Sequence, residues 1–147
     1  MRAGLLRRRL VEDHDLVLVD ESQAEQRLLA PQELRTADTS FATEIYNGHF
    51  GLAGRLADIG ARSPFVIEPP SVNWARELYG CDWLRHLRAA NSELSREQAK
   101  TLVHDFIRLR RQVPPLAWQP EIVARRVISW LSNSVLVLAA DEPEAYE

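Results

Sequence analysis

Apolar positions recur at helical spacing through the second half of the chain and change character between residues 48 and 67. The densest stretch is Ser71 to Ala90, SVNWARELYGCDWLRHLRAA. Within it Trp74, Leu78 and Tyr79 mark one helix face, and Trp83, Leu84 and Leu87 mark another. Gly80 stands between the two sets and predicts the end of one short helix and the start of a second. Ser95 followed by Gln98 predicts a capping box. Ala99, Leu102, Val103, Phe106, Ile107 and Leu109 then mark a helix face to about Arg111. VPPLAW, 113–118, reads as a proline-bearing loop, and Pro120 as the first turn of another helix. The buried face expected there is Ile122, Val123, Val127, Trp130 and Leu131, ended by Ser132 to Ser134. Val135 to Ala140 is apolar and short, and periodicity does not separate strand from buried helix. Asp141-Glu142-Pro143 is another helix-start signal. Glu147 falls within the first turn that it opens, so the chain reads as a fragment or truncated product.

The first half is less regular. Residues 1–30 read as a lead-in, with a short strand at Leu16 to Val19 and a helical turn at Ser22 to Leu29. PQELRTADT, 31–39, is polar and loop-like. Asp38 or Thr39 then caps a short helix through Phe41, Ala42, Ile45 and Tyr46, closed by Asn47-Gly48. Glycines at 48, 51, 54 and 60 punctuate the apolar pieces Phe50–Leu52, Leu56–Ile59 and Phe65–Ile67, which suits a small hairpin or meander. Glu68-Pro69-Pro70 breaks the extended run and sets Ser71 as a helix cap. The expected organisation is a lead-in (1–30), a loop, short helix and small β-meander (31–70), and a helical part (71–147).

Composition narrows the function classes. A chain of 147 residues, 46% hydrophobic and 27% charged, has the make-up of one globular domain. A net charge of −3 and a pI near 5.8 argue against a nucleic-acid partner. Arginine supplies 17 of the 18 basic residues, and Lys100 is the one lysine. The single cysteine, Cys81, excludes an internal disulfide and a cysteine-rich metal site. The longest apolar run is too short to span a bilayer, and acidic residues at 12, 13 and 15 interrupt any signal-like start. The default location is therefore cytoplasmic, with no membrane contact.

Neither a triad, a phosphate loop, a metal site nor a pair of catalytic carboxylates is legible. His104 and Asp105 are adjacent, so on a helix they diverge by about 100° and form no dyad. Cys81 has no cation beside it in sequence and reads as buried and inert. No cofactor is implied. Arg85 and Arg88 share a helix face at i, i+3 and, with Arg125 and Arg126, offer guanidiniums suited to carboxylate or sulfate. Trp74, Trp83, Trp118 and Trp130 read either as core or as a sugar-stacking platform.

SPFVIEPPSVNWARELYGCDWLRHLRAA together with AWQPEIVARRVISWLSNS at 117–134 resembles the N-terminal region of bacterial heparinase II/III-family proteins. The likeness extends back through LRTAD and EIYNGHFGLAG and covers roughly residues 30 to 146. It implies a mainly α fold in which helical hairpins open an (α/α) toroid after a small β-rich segment. It also implies a polysaccharide lyase that cleaves uronate-containing glycosaminoglycans by β-elimination. The family's catalytic segments find no counterpart here, so none of its catalytic residues carries over and the chain alone is expected to be inactive. Trp74, Trp83, Arg85, Arg88 and Arg126 become glycan-groove candidates, and the implied partner is an anionic polysaccharide. The alternative is a non-enzymatic helical module that binds an anionic glycan or a protein. An incomplete toroid would also leave Phe106/Ile107 and Val127/Leu131 without partners and favour self-association.

Overall fold

A computed structural model of the chain describes residue 32 and residues 34–138. The strand and helix expected within 1–30 and the helix start at 141–143 lie outside the described residues. Those described are mainly helical, with six α-helices and one two-stranded antiparallel sheet.

The first helix, α1, spans Ser40–Tyr46. Asp38 rather than Thr39 caps it. Its carboxylate accepts from the Ser40 N–H at 2.9 Å and the Ser40 hydroxyl at 2.8 Å, while Thr39 makes no side-chain cap bond. The hairpin follows as β1, His49–Leu52, and β2, Arg55–Asp58, with His49 opposite Asp58 and Leu52 opposite Arg55. Ala53 and Gly54 turn it with φ of 49° and 70°, the two positive values that a type I′ turn requires. Gly48 is needed at the open end, because a Cβ there would stand 2.9 Å from the Gly60 carbonyl oxygen. The third apolar piece is not a strand. Pro64–Val66 is a 3-10 turn opened by its proline, and Phe65 packs 6.0 Å from Tyr79 and 5.5 Å from Phe106, ring centre to ring centre.

Helix α2, Val72–Gly80, is capped as the sequence predicts: the Ser71 hydroxyl accepts from the Trp74 N–H at 3.1 Å. The break after it is displaced by one residue. Gly80 stays helical, and Cys81 takes the left-handed conformation at φ 57°. Helix α3, Leu84–Ala90, ends on left-handed Asn91. Helix α4, Glu93–Leu109, starts earlier than expected. Its capping box is Ser92 with Ser95, and Gln98 instead reaches back to the Ala42 carbonyl at 3.3 Å. Both serines have the right spacing from a polar residue, but Ser92 has the extended backbone that a cap needs. VPPLAW contains a 3-10 turn, Pro115–Trp118, before α5, Pro120–Ser132. The short apolar run beyond it opens as helix α6, Ser134–Val137.

The core gathers on Phe50 of β1, which is fully buried. Its ring lies 5.5 Å from Phe41, 6.1 Å from Trp74 and 5.6 Å from Trp83. Both indole N–H groups are satisfied internally, Trp74 donating to the Phe50 carbonyl and Trp83 to the Leu78 carbonyl, each at 3.0 Å.

Helices α4 and α5 depart from the expected faces. Phe106 is buried among Phe65, Trp118 and Trp130, so it has the partners the sequence denied it, whereas neighbouring Ile107 is exposed. Helix α5 holds to its expected face at Ile122, which is buried, and at Trp130, which packs on Phe106, and departs from it elsewhere. Arg126, Ser129 and Ser132 are buried, while Val127, Ile128 and Leu131 face outward. A polarity pattern assigns an apolar face to the core; here hydrogen bonds to a neighbouring helix end decide instead.

Trp83→Ala is expected to cost about 3–5 kcal/mol and Ile107→Ala less than about 1 kcal/mol. Urea unfolding with an unchanged m-value measures both. Equal losses at the two positions would contradict this core.

Candidate functional site

Where α2 stops, its last carbonyls need donors in a region closed to water. Leu78 receives the Trp83 indole, and the Tyr79 carbonyl receives Arg126 Nη1 at 2.9 Å. The Cys81 carbonyl accepts from the Ser129 hydroxyl at 2.7 Å. Arg126 also donates to the Ala117 carbonyl at 3.0 Å, and its guanidinium carbon lies 4.5 Å from the Phe106 ring centre and 5.1 Å from Trp118. Two carbonyls and two aromatic faces thus replace the water it has lost. Burial still lowers its pKa from the ordinary guanidinium value.

On the solvent side of the same junction stands Asp82, the next residue after the left-handed turn. Its carboxylate pairs with Arg35 at 3.0 Å and takes Nε and Nη2 of Arg125, the Nε bond at 3.1 Å. Around it opens an arginine-lined cleft between Gln32, the 34–37 segment, α3 and α5. One lobe, of about 430 Å³, is lined by Arg35, Arg85 and Arg88 together with Gln32 and Leu34. Arg85 donates to the Thr36 carbonyl at 3.1 Å and the Asp82 carbonyl at 2.7 Å, and Arg88 donates to the Ser132 carbonyl. Among the described residues neither meets a carboxylate. Both guanidiniums are therefore positioned by neutral oxygens and keep their charge for a ligand.

The five groove candidates separate. Arg85 and Arg88 are brought together, as their spacing predicts. Trp74, Trp83 and Arg126 are 0, 1 and 3% exposed and present no face to a surface groove. Each is claimed by the core or by the α2–α3 junction. Arg125 is neutralised by Asp82. Sequence reasoning missed Arg35 and Asp82. Asp82 sits at i−3 from Arg85, a detectable signal, but Arg35 reaches the cleft only through the fold.

His86 and His104 are placed differently. His86 lies 4.9 Å from the Phe41 ring, and its Nδ1 accepts from the Asp38 N–H at 2.8 Å. The neutral ring then carries its proton on Nε2 and has no lone pair facing outward. Asp38 itself is held below the usual carboxylate range by hydrogen bonds from the Ser40 side chain and backbone. His104 is exposed, and its neighbour Asp105 pairs with Arg108 at 2.8 Å. Burial pushes the Tyr79 phenol up to about 12. It does the same to the Cys81 thiol, also about 12, against a smaller opposing pull from Trp130 and Arg126. Among the described residues no group of three or more His, Cys, Asp or Glu could hold a metal, and no helix is long and apolar enough to cross a membrane.

Two outcomes follow. Asp82→Ala removes the carboxylate that takes two donors of the Arg125 guanidinium and pairs with Arg35, and is expected to cost roughly 1–3 kcal/mol, read by chemical denaturation. Cys81 favours its protonated form when folded, so the unfolded chain loses that proton first as pH rises. Stability should fall from about pH 9 upward, and Cys81→Ala should flatten that slope. Thermal melts across the alkaline range measure it, and identical slopes for the two proteins would refute the assignment.

No family model, no curated protein and no solved structure matches the chain.

Proposed function

We propose that this chain is a non-catalytic helical module that holds an anionic polysaccharide in the cleft of Arg35, Arg85 and Arg88. One observation carries the reading: Arg85 and Arg88 are fixed by backbone carbonyls, lack a carboxylate among the described residues, and line the same cleft of about 430 Å³. Guanidiniums oriented in advance lose little freedom when they meet sulfate or uronate carboxylate, which favours bidentate binding.

The resemblance to heparinase II/III-family proteins supports the polysaccharide class and suggests the opening helices of an (α/α) toroid as the larger architecture. Within this reading the chain binds and does not cleave. β-Elimination needs a base beside a charge-neutralising group. Tyr79 is buried, and His86 spends its Nδ1 lone pair on the Asp38 N–H.

Retention on immobilised heparin tests this. The Arg85→Ala/Arg88→Ala double variant is expected to bind about tenfold more weakly than the parent, the equivalent of one lost charge-assisted hydrogen bond. Soluble heparin incubated with the parent chain should gain no ultraviolet absorbance, since no unsaturated uronate forms. Unchanged retention of the double variant would sink the binding reading, and a rise in absorbance would restore the lyase.

A further inference from the structure

Asn47-Gly48 closes α1 and leads into β1. Of the chain's four asparagines, Asn47 alone is followed by glycine. That pairing has its own chemistry. A glycine nitrogen has no side chain beside it, so it can reach the side-chain amide carbon of the preceding asparagine and close a five-membered imide. At Asn73, Asn91 and Asn133 the following side chain obstructs that approach. The ring forms only when the asparagine Cβ and the glycine nitrogen eclipse one another across the Cα–C bond. At ψ 6° it is Asn47's own backbone nitrogen that eclipses Gly48, and the Cβ stands about a third of a turn away. The attacking nitrogen is also occupied. The Gly48 N–H donates to the Ile45 carbonyl at 2.9 Å, and Gly48 is buried while Asn47 is exposed. The fold thus carries a reactive pair and withholds both the geometry and the nucleophile that its reaction needs.

We propose that Asn47-Gly48 is a latent self-modification site, closed in the folded chain and released when the α1–β1 junction opens. The Gly48 nitrogen then attacks Asn47 Cγ. A C–N bond forms, the side-chain amide leaves as ammonia with the proton that Gly48 gives up, and a cyclic imide remains. Water, the other reactant, opens the imide at either carbonyl. One route gives an aspartate at position 47. The other gives an isoaspartate, whose main chain runs through the side-chain carbons. The fold treats the two products differently. An aspartate keeps the parent main chain, and its new charge falls at an exposed position. An isoaspartate adds a main-chain atom just before β1, whose Phe50 is fully buried at the centre of the core. It also displaces Gly48, whose carbonyl accepts the Ile59 N–H at 2.8 Å and which has no room for so much as a Cβ against the Gly60 carbonyl. A junction packed this closely does not re-form around the longer main chain. Opening therefore leads to a covalent step that refolding does not reverse.

The test uses the full chain, held at mildly alkaline pH either folded or in urea and then digested for mass spectrometry. In urea the peptide that contains Asn47 should gain the mass of an amide-to-acid exchange, and enzymatic methylation should reveal isoaspartate in it. The folded chain should react at least about hundredfold more slowly, in proportion to how seldom the junction opens. Asn47→Gln should stay unmodified at this position in both conditions. Returned to native buffer, chains with aspartate should recover the parent's melting transition, and chains with isoaspartate should not. Asn47→Asp reproduces the first product without the chemistry and should fold as the parent does. Equal rates in the folded chain and in urea would overturn the closed site. An isoaspartate chain that melts like the parent, or an Asn47→Asp chain that fails to fold, would overturn the one-way step.

Discussion

The end of helix α2 is the constraint on which the rest of the structure depends. Its closing carbonyls, at Leu78, Tyr79 and Cys81, lie where water does not reach; Leu78 and Cys81 each keep one backbone donor, the Cys81 N–H at 3.2 Å and the Leu84 N–H at 3.1 Å, whereas the left-handed turn leaves Tyr79 to a side chain. Side chains complete the hydrogen bonding. Trp83 does so from the next helix, and Arg126 and Ser129 from α5. An unsatisfied buried carbonyl costs about 1–3 kcal/mol, comparable to fully burying a valine or leucine. Meeting the Tyr79 carbonyl through Arg126 offsets the exposure of Val127 and Leu131. The helix therefore docks with Arg126 and Ser129 inward beside Ile122.

That orientation also creates the cleft. With Arg126 and Ser129 inside, Arg125 falls at the rim, where it pairs with Asp82 just beyond the turn. Asp82 in turn holds Arg35 and so fixes the 34–37 segment beside α3. The Thr36 carbonyl thereby meets Arg85. The Ser132 carbonyl, at the far end of α5, meets Arg88. One buried polar seam thus positions two charged side chains that it does not neutralise. Arg126 shows the cost of the arrangement: a guanidinium inside the protein without a carboxylate is tolerated only because two carbonyls and two rings surround it.

The sequence made the elements legible wherever local rules decided them. Ser71 reads as a cap, Pro120 as a first turn, and the glycine spacing as a hairpin, and each holds because its cause lies within four residues. Readings failed where a distant partner decided. Gly80 is the residue most able to turn left-handed, yet Cys81 turns, and Gly80 instead packs beneath Arg125, whose Nε would lie 3.5 Å from a Cβ at that position. Periodicity assigned Val127 and Leu131 to the core because it scores apolarity and has no means of seeing carbonyls 47 and 48 residues away. The same blindness hid half of the site. Arg85 and Arg88 were legible from their i, i+3 spacing, whereas Arg35 joins them only because Asp82 draws its segment across.

An outward apolar stripe is not a defect of folding. Those side chains are exposed in the unfolded chain too, so they contribute little to stability either way, and the core around Phe50 is built without them. What they hold is unused association energy. Covering a patch on the order of 500 Å² contributes about 12 kcal/mol at the usual area coefficient, an upper figure for one side of a contact. Bringing two molecules together costs an estimated 4–15 kcal/mol before any side chain is ordered. The stripe alone therefore sustains no more than a weak contact.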